Sequence, residues 1–213
     1  MKILLVSVIL LLSSTSALTA QTVDSNLVNI VLEGNLQKFN EIVQKGVDLN
    51  QKDKNDYSLL MYAAISNHSK IISALAKSKV NVNDQNQDGD SALLLAAKKM
   101  NNDAACSLVK AGADVNLKNN SNETALFLAA KNGNVHIVTM LIEMGAMVNT
   151  TDNVGVTPLM QAVISSNKKM VEILLQAGAD SNFKNSKGEN AFSLARKNGN
   201  EQIAALLTGV GAY

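Results

Sequence analysis

Hydrophobic positions along this chain come in short bursts with helical spacing. In residues 157–182, Leu159, Ala162 and Val163 lie on one side of a short helix. After a polar break at residues 165–167, Met170, Val171, Leu174 and Leu175 repeat the pattern on a second helix. Thr157 can cap the first helix and Pro158 suits its first turn. Gly178 suits the end of the second. The polar stretch that follows, up to Gly188, predicts a turn projecting away from the helices.

The helix–helix–turn pattern is copied at a fixed step. Asn50, Asn83, Asn116, Asn149 and Asn182 lie 33 residues apart, as do Asp53, Asn86, Asn119, Asp152 and Asn185. A small or polar position keeps the same step at Ser58, Ser91, Thr124, Thr157 and Asn190. Leu60, Leu93, Leu126 and Leu159 do so too, with Phe192 in the last copy. Six units are expected: an N-terminal cap over 24–50, then 51–83, 84–116, 117–149 and 150–182, and a closing unit over 183–213. No unit of this size can bury its own apolar face, so each must stack on its neighbours. Residues 21–213 are therefore expected to form one elongated domain without a linker.

The chain resembles the ankyrin-repeat family. DGDSALLLAA at 88–97, NETALFLAA at 122–130 and GVTPLMQAV at 155–163 match its Thr-Pro-Leu-His-x-Ala segment in pieces. GADVN at 112–116 and GAMVN at 145–149 match the portion that leads into the turn, and GNVHIVTMLIEMGA matches the second helix and its stop. The resemblance covers about residues 24–210. It implies an all-α solenoid of stacked helix-turn-helix units with projecting β-turns. It also implies a concave side, built from turns and first helices, on which partners dock. Departures from the pattern are visible. Met61, Leu94, Phe127 and Met160 stand where the family has His, so apolar packing is expected there. Ser78, Lys79 and Val80 replace a Gly-Ala-Asp turn, and Met100 stands at a break that usually carries Gly. Those two joints are expected to bend differently.

The first 20 residues are a different material. Lys2 precedes a nearly all-apolar run over residues 3–13, and small residues follow. This predicts a secretory signal peptide over residues 1–20, cut after Ala20 or after Ala17. An uncleaved N-terminal anchor is the alternative. The expected location is the periplasm or the cell exterior, with no membrane attachment after cleavage. Sequons at Asn67, Asn119, Asn122 and Asn149 sit in turns that look tightly packed, which favours a bacterial periplasm over a glycosylating compartment.

Charge and chemistry narrow the functional classes. Nineteen basic residues face eighteen acidic ones, so no field draws nucleic acid or an anionic membrane. Of the two histidines, His68 is expected to serve a local turn hydrogen bond and His136 to lie at the surface. Cys106 aligns with Ser73, Thr139 and Glu172 and is expected to be partly buried. As the single cysteine it stays free or joins another chain. Asp84, Asn86, Asp88 and Gly89 resemble part of a calcium loop, but the position that needs Glu is Leu95. No catalytic residue, metal site or cofactor is expected, and the chain is expected to be a monomer without enzymatic activity.

A partner surface can be placed residue by residue from the resemblance. The variable first-helix positions are Tyr62, Leu95, Leu128 and Gln161. Beside them lie Ile65, Lys98, Lys99, Lys131 and Ile164, with Tyr57 at a turn tip. An apolar strip with a polar rim is the build of a protein interface, and Tyr57 and Tyr62 are the expected anchors. The alternative is that Leu95 and Leu128 pack between neighbouring first helices and that Tyr57 packs on its own unit. The leading functional reading is a periplasmic module that binds and inhibits an exported enzyme such as a cell-wall hydrolase, in the manner of an immunity protein. An accessory or scaffold role for an envelope enzyme, and a secreted effector that binds host proteins, are the alternatives.

Overall fold

Each first helix begins where a short hydroxyl or amide side chain can replace a missing backbone partner. In the computed structural model, which describes residues 24–209, these helices are α1 (Ser25–Leu32), α3 (Leu59–Ile65), α5 (Ala92–Lys99), α7 (Ala125–Lys131), α9 (Pro158–Ile164) and α11 (Ala191–Lys197). The side chains of Ser58, Ser91, Thr124, Thr157 and Asn190 accept hydrogen bonds from the backbone N–H groups of Met61, Leu94, Phe127, Met160 and Ser193. The small polar residue recurring every 33 positions is thus the helix cap. All five caps are buried, where an unpaired N–H would be costly.

The second helices are α2 (Leu36–Gln44), α4 (Ser69–Lys77), α6 (Asn102–Lys110), α8 (Val135–Glu143), α10 (Lys168–Gln176) and α12 (Glu201–Gly209). Asn35, Asn134, Asn167 and Asn200 accept from the N–H three residues on and cap four of them. First helices stack on one another from α1 to α11 and form an inner layer. Second helices form an outer layer that packs on it. Among the described residues extended pairing is limited to isolated bridges, such as Gln85 with Ser91. The fold is an all-α stacked solenoid.

Burial follows the layers. The inner helices are buried nearly all round, as in α5, where every residue from Ala92 to Ala97 is inside. Only small and unbranched side chains let short helices approach this closely, which accounts for the repeated Ala pairs 63–64, 96–97 and 129–130. The outer helices bury one face each, as Ile137, Val138 and Leu141 do in α8. Met61, Leu94, Phe127 and Met160 are buried, so apolar packing fills the places where the family pattern has His.

The two irregular joints keep the regular backbone. Met100 adopts φ +59°, the left-handed region that Gly133 occupies one unit later at φ +74°. Lys79 adopts φ +59° where Gly112 and Gly145 stand in later units. At both joints a non-glycine residue takes the left-handed conformation that glycine takes in later units, at a cost in backbone strain. The signal segment expected over residues 1–20 lies outside the described residues.

Candidate functional site

The projecting turns are built by one side chain each. The Oδ1 atoms of Asp53, Asn86, Asn119, Asp152 and Asn185 accept two backbone N–H bonds apiece, two and four residues on. These turns then bond to one another in series. The N–H groups of Gln87, Asn120, Asn153 and Ser186 donate to the carbonyls of Asn55, Asp88, Ser121 and Val154, at 3.2, 3.0, 3.1 and 2.9 Å. A second series joins the far ends of the units. The Oδ1 atoms of Asn83, Asn116 and Asn149 accept from the N–H groups of Asp114, Met147 and Asp180 at 2.9, 2.8 and 2.8 Å. The periodic Asn and Asp residues are therefore structural. They fix a continuous face, formed by the turns and the exposed ends of the first helices.

On this face the residue that closes each turn stands opposite a residue eight further on. In three units the two form an ion pair: Lys98 with Asp90 at 3.4 Å, Lys131 with Glu123 at 3.2 Å, and Lys197 with Glu189 at 2.6 Å. Lys131 also lies 5.9 Å from the ring centroid of Phe127. Hydrogen bonds from Lys197 and Asn185 hold the Glu189 carboxyl below the usual carboxylate range. Asp90 is buried and also accepts from Asn119 Nδ2 at 2.9 Å, so this pair joins two units. The same register holds Tyr57 with Ile65 in one unit and Val156 with Ile164 in another.

The N-terminal part of the face carries its own polar pair. Tyr62 Oη donates to Asp53 Oδ2 at 2.6 Å, and the Tyr62 and Tyr57 rings lie 5.7 Å apart at 39°. Burial and the bond to Asp53 push the Tyr62 hydroxyl up to about 12. Burial alone would raise Asp53, but hydrogen bonds from Tyr62 and from the Tyr57 and Asn55 N–H groups outweigh it and lower the carboxyl below its usual value. Both tyrosines are half-buried and committed to this cluster.

The residues expected to meet a partner separate into two groups. Lys98, Lys99, Lys131 and Ile164 are exposed, and Tyr57, Tyr62, Ile65 and Gln161 are half-buried. Leu95 and Leu128, at 4% and 2% exposure, lie inside the stack between neighbouring first helices. The expectation of an exposed apolar strip is corrected at these two positions. They face adjacent helices, and truncating Leu128 would open a cavity instead of removing a contact surface. Asp90, Glu123, Val156, Lys187 and Glu189 also belong to this face, and none was singled out by the family pattern. The signal of the three acids in the sequence is the recurrence of an acid and a Lys eight apart at the 33-residue step.

His68 is also placed differently from expectation. It makes no side-chain cap bond in its own turn; its Nε2 lies 2.8 Å from the carbonyl of Leu32, one unit back. A carbonyl only accepts, so Nε2 carries the proton. Asn101 behaves alike, donating to the carbonyls of Ala64 and Ile65, while Asn67 caps the helix of the next unit through the Ala104 N–H. Among the described residues no group of three or more His, Cys, Asp or Glu could hold a metal ion, and no helix is long and apolar enough to cross a membrane.

Known proteins were compared with this architecture. A family profile described as "Ankyrin repeats (3 copies)" matches residues 27–119 and 95–185. No curated protein matches the chain. Among solved structures, the complex of the predatory endopeptidase Bd0816 from Bdellovibrio bacteriovorus with the immunity protein Bd3460 contains a similar chain, the immunity protein. The TM-score is 0.78 at 29% sequence identity, over 87% of this chain and 98% of that chain.

Proposed function

The chain belongs to the ankyrin-repeat family, and on that footing we propose that it is an immunity-type inhibitor, a binding module that holds an exported enzyme and shields its owner from it. One observation carries the reading. The similarity to Bd3460 extends over 98% of that protein, and Bd3460 is seen in complex with an endopeptidase. A peptidoglycan-active enzyme of the periplasm is the partner class proposed here. The face of turns and first helices is the proposed contact surface, with Tyr57, Tyr62, Ile65, Lys98, Lys99, Lys131, Gln161 and Ile164 as the residues available on it. Inhibition would follow from covering a cleft, since a stack of 33-residue units offers a broad wall and no group placed to react.

The proposed location is the bacterial periplasm or the exterior. Support comes from the four sequon asparagines, whose Nδ2 atoms are already engaged. Those of Asn119, Asn122 and Asn149 donate to Asp90, to the Thr151 carbonyl and to the Gly178 carbonyl at 2.9, 2.8 and 3.0 Å, and that of Asn67 reaches Asp103 at 3.5 Å. A glycan on any of these nitrogens would displace a bond, and all four of those bonds join one unit to the next. Such a chain suits a compartment without N-glycosylation.

The test is capture followed by assay. Mature protein is immobilised, a periplasmic extract is passed over it, and the captured enzyme is assayed for release of soluble fragments from purified peptidoglycan. Added protein is expected to abolish that release at a one-to-one ratio. Undiminished release from an enzyme that binds would remove inhibition and leave the scaffold reading.

A further inference from the structure

The ion pairs along the turn face are interrupted at residues 150–182, and a hollow opens there. Val156 and Ile164 occupy the register that Asp90 and Lys98, Glu123 and Lys131, and Glu189 and Lys197 fill elsewhere. Ile164 is 46% exposed and the neighbouring turn residue Val154 is 53% exposed. With Leu194 they line a hollow of 310 Å³, whose rim carries Lys187 and Glu189. This volume lies at the low end of the about 300–1,000 Å³ of ligand sites, enough for one side chain and its flanking backbone.

The two rim charges are not equivalent. Glu189 is engaged by Lys197 and by Asn185 Nδ2 at 3.0 Å. Lys187 is exposed, and among the described residues its ammonium makes no hydrogen bond or ion pair. The hollow therefore presents an apolar floor beside a cation that no side chain hydrogen-bonds, although its charge also acts on the Glu189 carboxyl. The other apolar register position, Tyr57 with Ile65, differs, because there the Tyr57 ring lies against the tilted Tyr62 ring, whose hydroxyl is bonded to Asp53. We propose that the Val154–Val156–Ile164–Leu194 hollow is the anchor site for a protein partner, and that it takes an aliphatic side chain flanked by a carboxylate on a partner loop. The proposal rests on the reading that this face binds a protein, and adds which part of it anchors the partner and what the partner must carry.

Neighbouring units stack around an ion pair at this register. A double variant uses that fact. Val156→Glu with Ile164→Lys, made in an Asp152→Asn background so that residue 152 can donate to the new carboxylate as Asn119 and Asn185 do to Glu123 and Glu189, rebuilds the arrangement of the adjacent units while the hollow is lost. The probe is a displayed library of random constrained peptide loops, selected on the full mature chain. Selected loops are expected to carry Leu, Ile or Val next to Asp or Glu, and to bind the double variant about tenfold more weakly or worse. Lys187→Glu should turn the preference toward loops with Lys or Arg. Loops that lack this pairing, or that bind the double variant as well as the parent, overturn the proposal. Thermal unfolding followed by circular dichroism checks that the double variant is folded, and Ile164→Glu alone, at an exposed position, supplies a second variant. The enzyme assay separates the two readings. Inhibition equal for parent and double variant overturns the hollow alone. Loops that seat in the hollow while the captured enzyme stays active overturn inhibition alone.

Discussion

Two glycines with the same backbone conformation allow the bond between neighbouring turns to be weighed by itself. Gly89 has φ +77° and Gly112 has φ +88°, so replacing either with Ala places a Cβ in the left-handed region, at about 1–2 kcal/mol. At Gly112 the new Cβ meets nothing within 4 Å. At Gly89 it would stand 2.6 Å from Asn120 Oδ1 and 2.7 Å from the Asn120 backbone N. That nitrogen cannot retreat without breaking its 3.0 Å bond to the Asp88 carbonyl, and the side chain cannot swing away without losing its 2.8 Å bond to the Gln87 carbonyl. Two net hydrogen bonds at about 1 kcal/mol each put Gly89→Ala at about 3–4 kcal/mol, against about 1–2 for Gly112→Ala. Equilibrium unfolding in urea, followed by far-ultraviolet circular dichroism, measures both. A second readout follows from the one-dimensional energetics of stacked units, in which weakening a joint broadens the transition while weakening one unit only shifts it. Gly89→Ala should lower both midpoint and slope, and the Asn120 amide should exchange faster with solvent. Equal losses for the two variants, with equal slopes, would refute the claim that turn-to-turn bonds couple the units.

Four further outcomes follow from the same geometry. Lys98→Met leaves Asp90 with a 2% exposed side chain and no cation, so it should cost about 1–3 kcal/mol in a denaturant titration. Arg196→Ala, whose pair with Glu201 has both side chains more than half exposed, should cost no more than about 0.5 kcal/mol. Met100→Gly relieves a left-handed residue that is 54% exposed and should stabilise the fold by about 0.5–1 kcal/mol, a rise in midpoint read in the same titration. Tyr62, pushed up to about 12, should give a late phase above the usual tyrosine range when absorbance at the tyrosinate band is followed with rising pH. A group raised in the fold contributes stability that is complete below its ordinary value near pH 10 and is lost as pH climbs through about 12. Asp53 runs the other way. Its lowered carboxyl contributes above the ordinary carboxylate range, and the contribution disappears as pH falls below it. Tyr62→Phe should abolish the late phase at high pH.

The stack was legible in the sequence because its causes are local and repeated. A buried cap such as Ser91 or Thr124, a glycine at a left-handed position and a run like Leu93, Leu94 and Leu95 each leave a mark at every step. The face was less legible. Whether Leu95 points at a partner or at the next helix depends on how closely first helices approach, and that distance is set jointly by the Ala pairs of two units. A pattern within one unit does not contain it. His68 was misplaced for a related reason. Its register with the capping Asn residues suggested a local bond, yet its ring makes no cap bond and reaches back to the Leu32 carbonyl of the preceding unit, as Asn101 reaches back to that of Ile65. The joints at Lys79 and Met100 show the converse, where stacking on both sides holds a non-glycine residue in a conformation it would not choose alone.

A repeat array also separates what serves the stack from what serves a partner. A position needed for stacking recurs at each step, because every joint makes the same demand. A position that departs while both adjacent joints stay regular is free of that demand. The turn-to-turn bonds on either side of residues 150–182, at Asn153 and Ser186, are as short as those elsewhere, and α9 still packs between α7 and α11. The loss of the ion pair at Val156 and Ile164 is therefore not a repair of the fold. An exposed isoleucine there gains nothing in the isolated chain, since its apolar surface stays in water. It gains on burial against another surface. In a chain with balanced charge, which offers no long-range field to steer association, affinity must come from such local burial and from the short-range pairing of Lys187. On the proposed contact surface the C-terminal half of the face, rather than the tyrosine cluster near Asp53, would then carry the larger share of the binding energy.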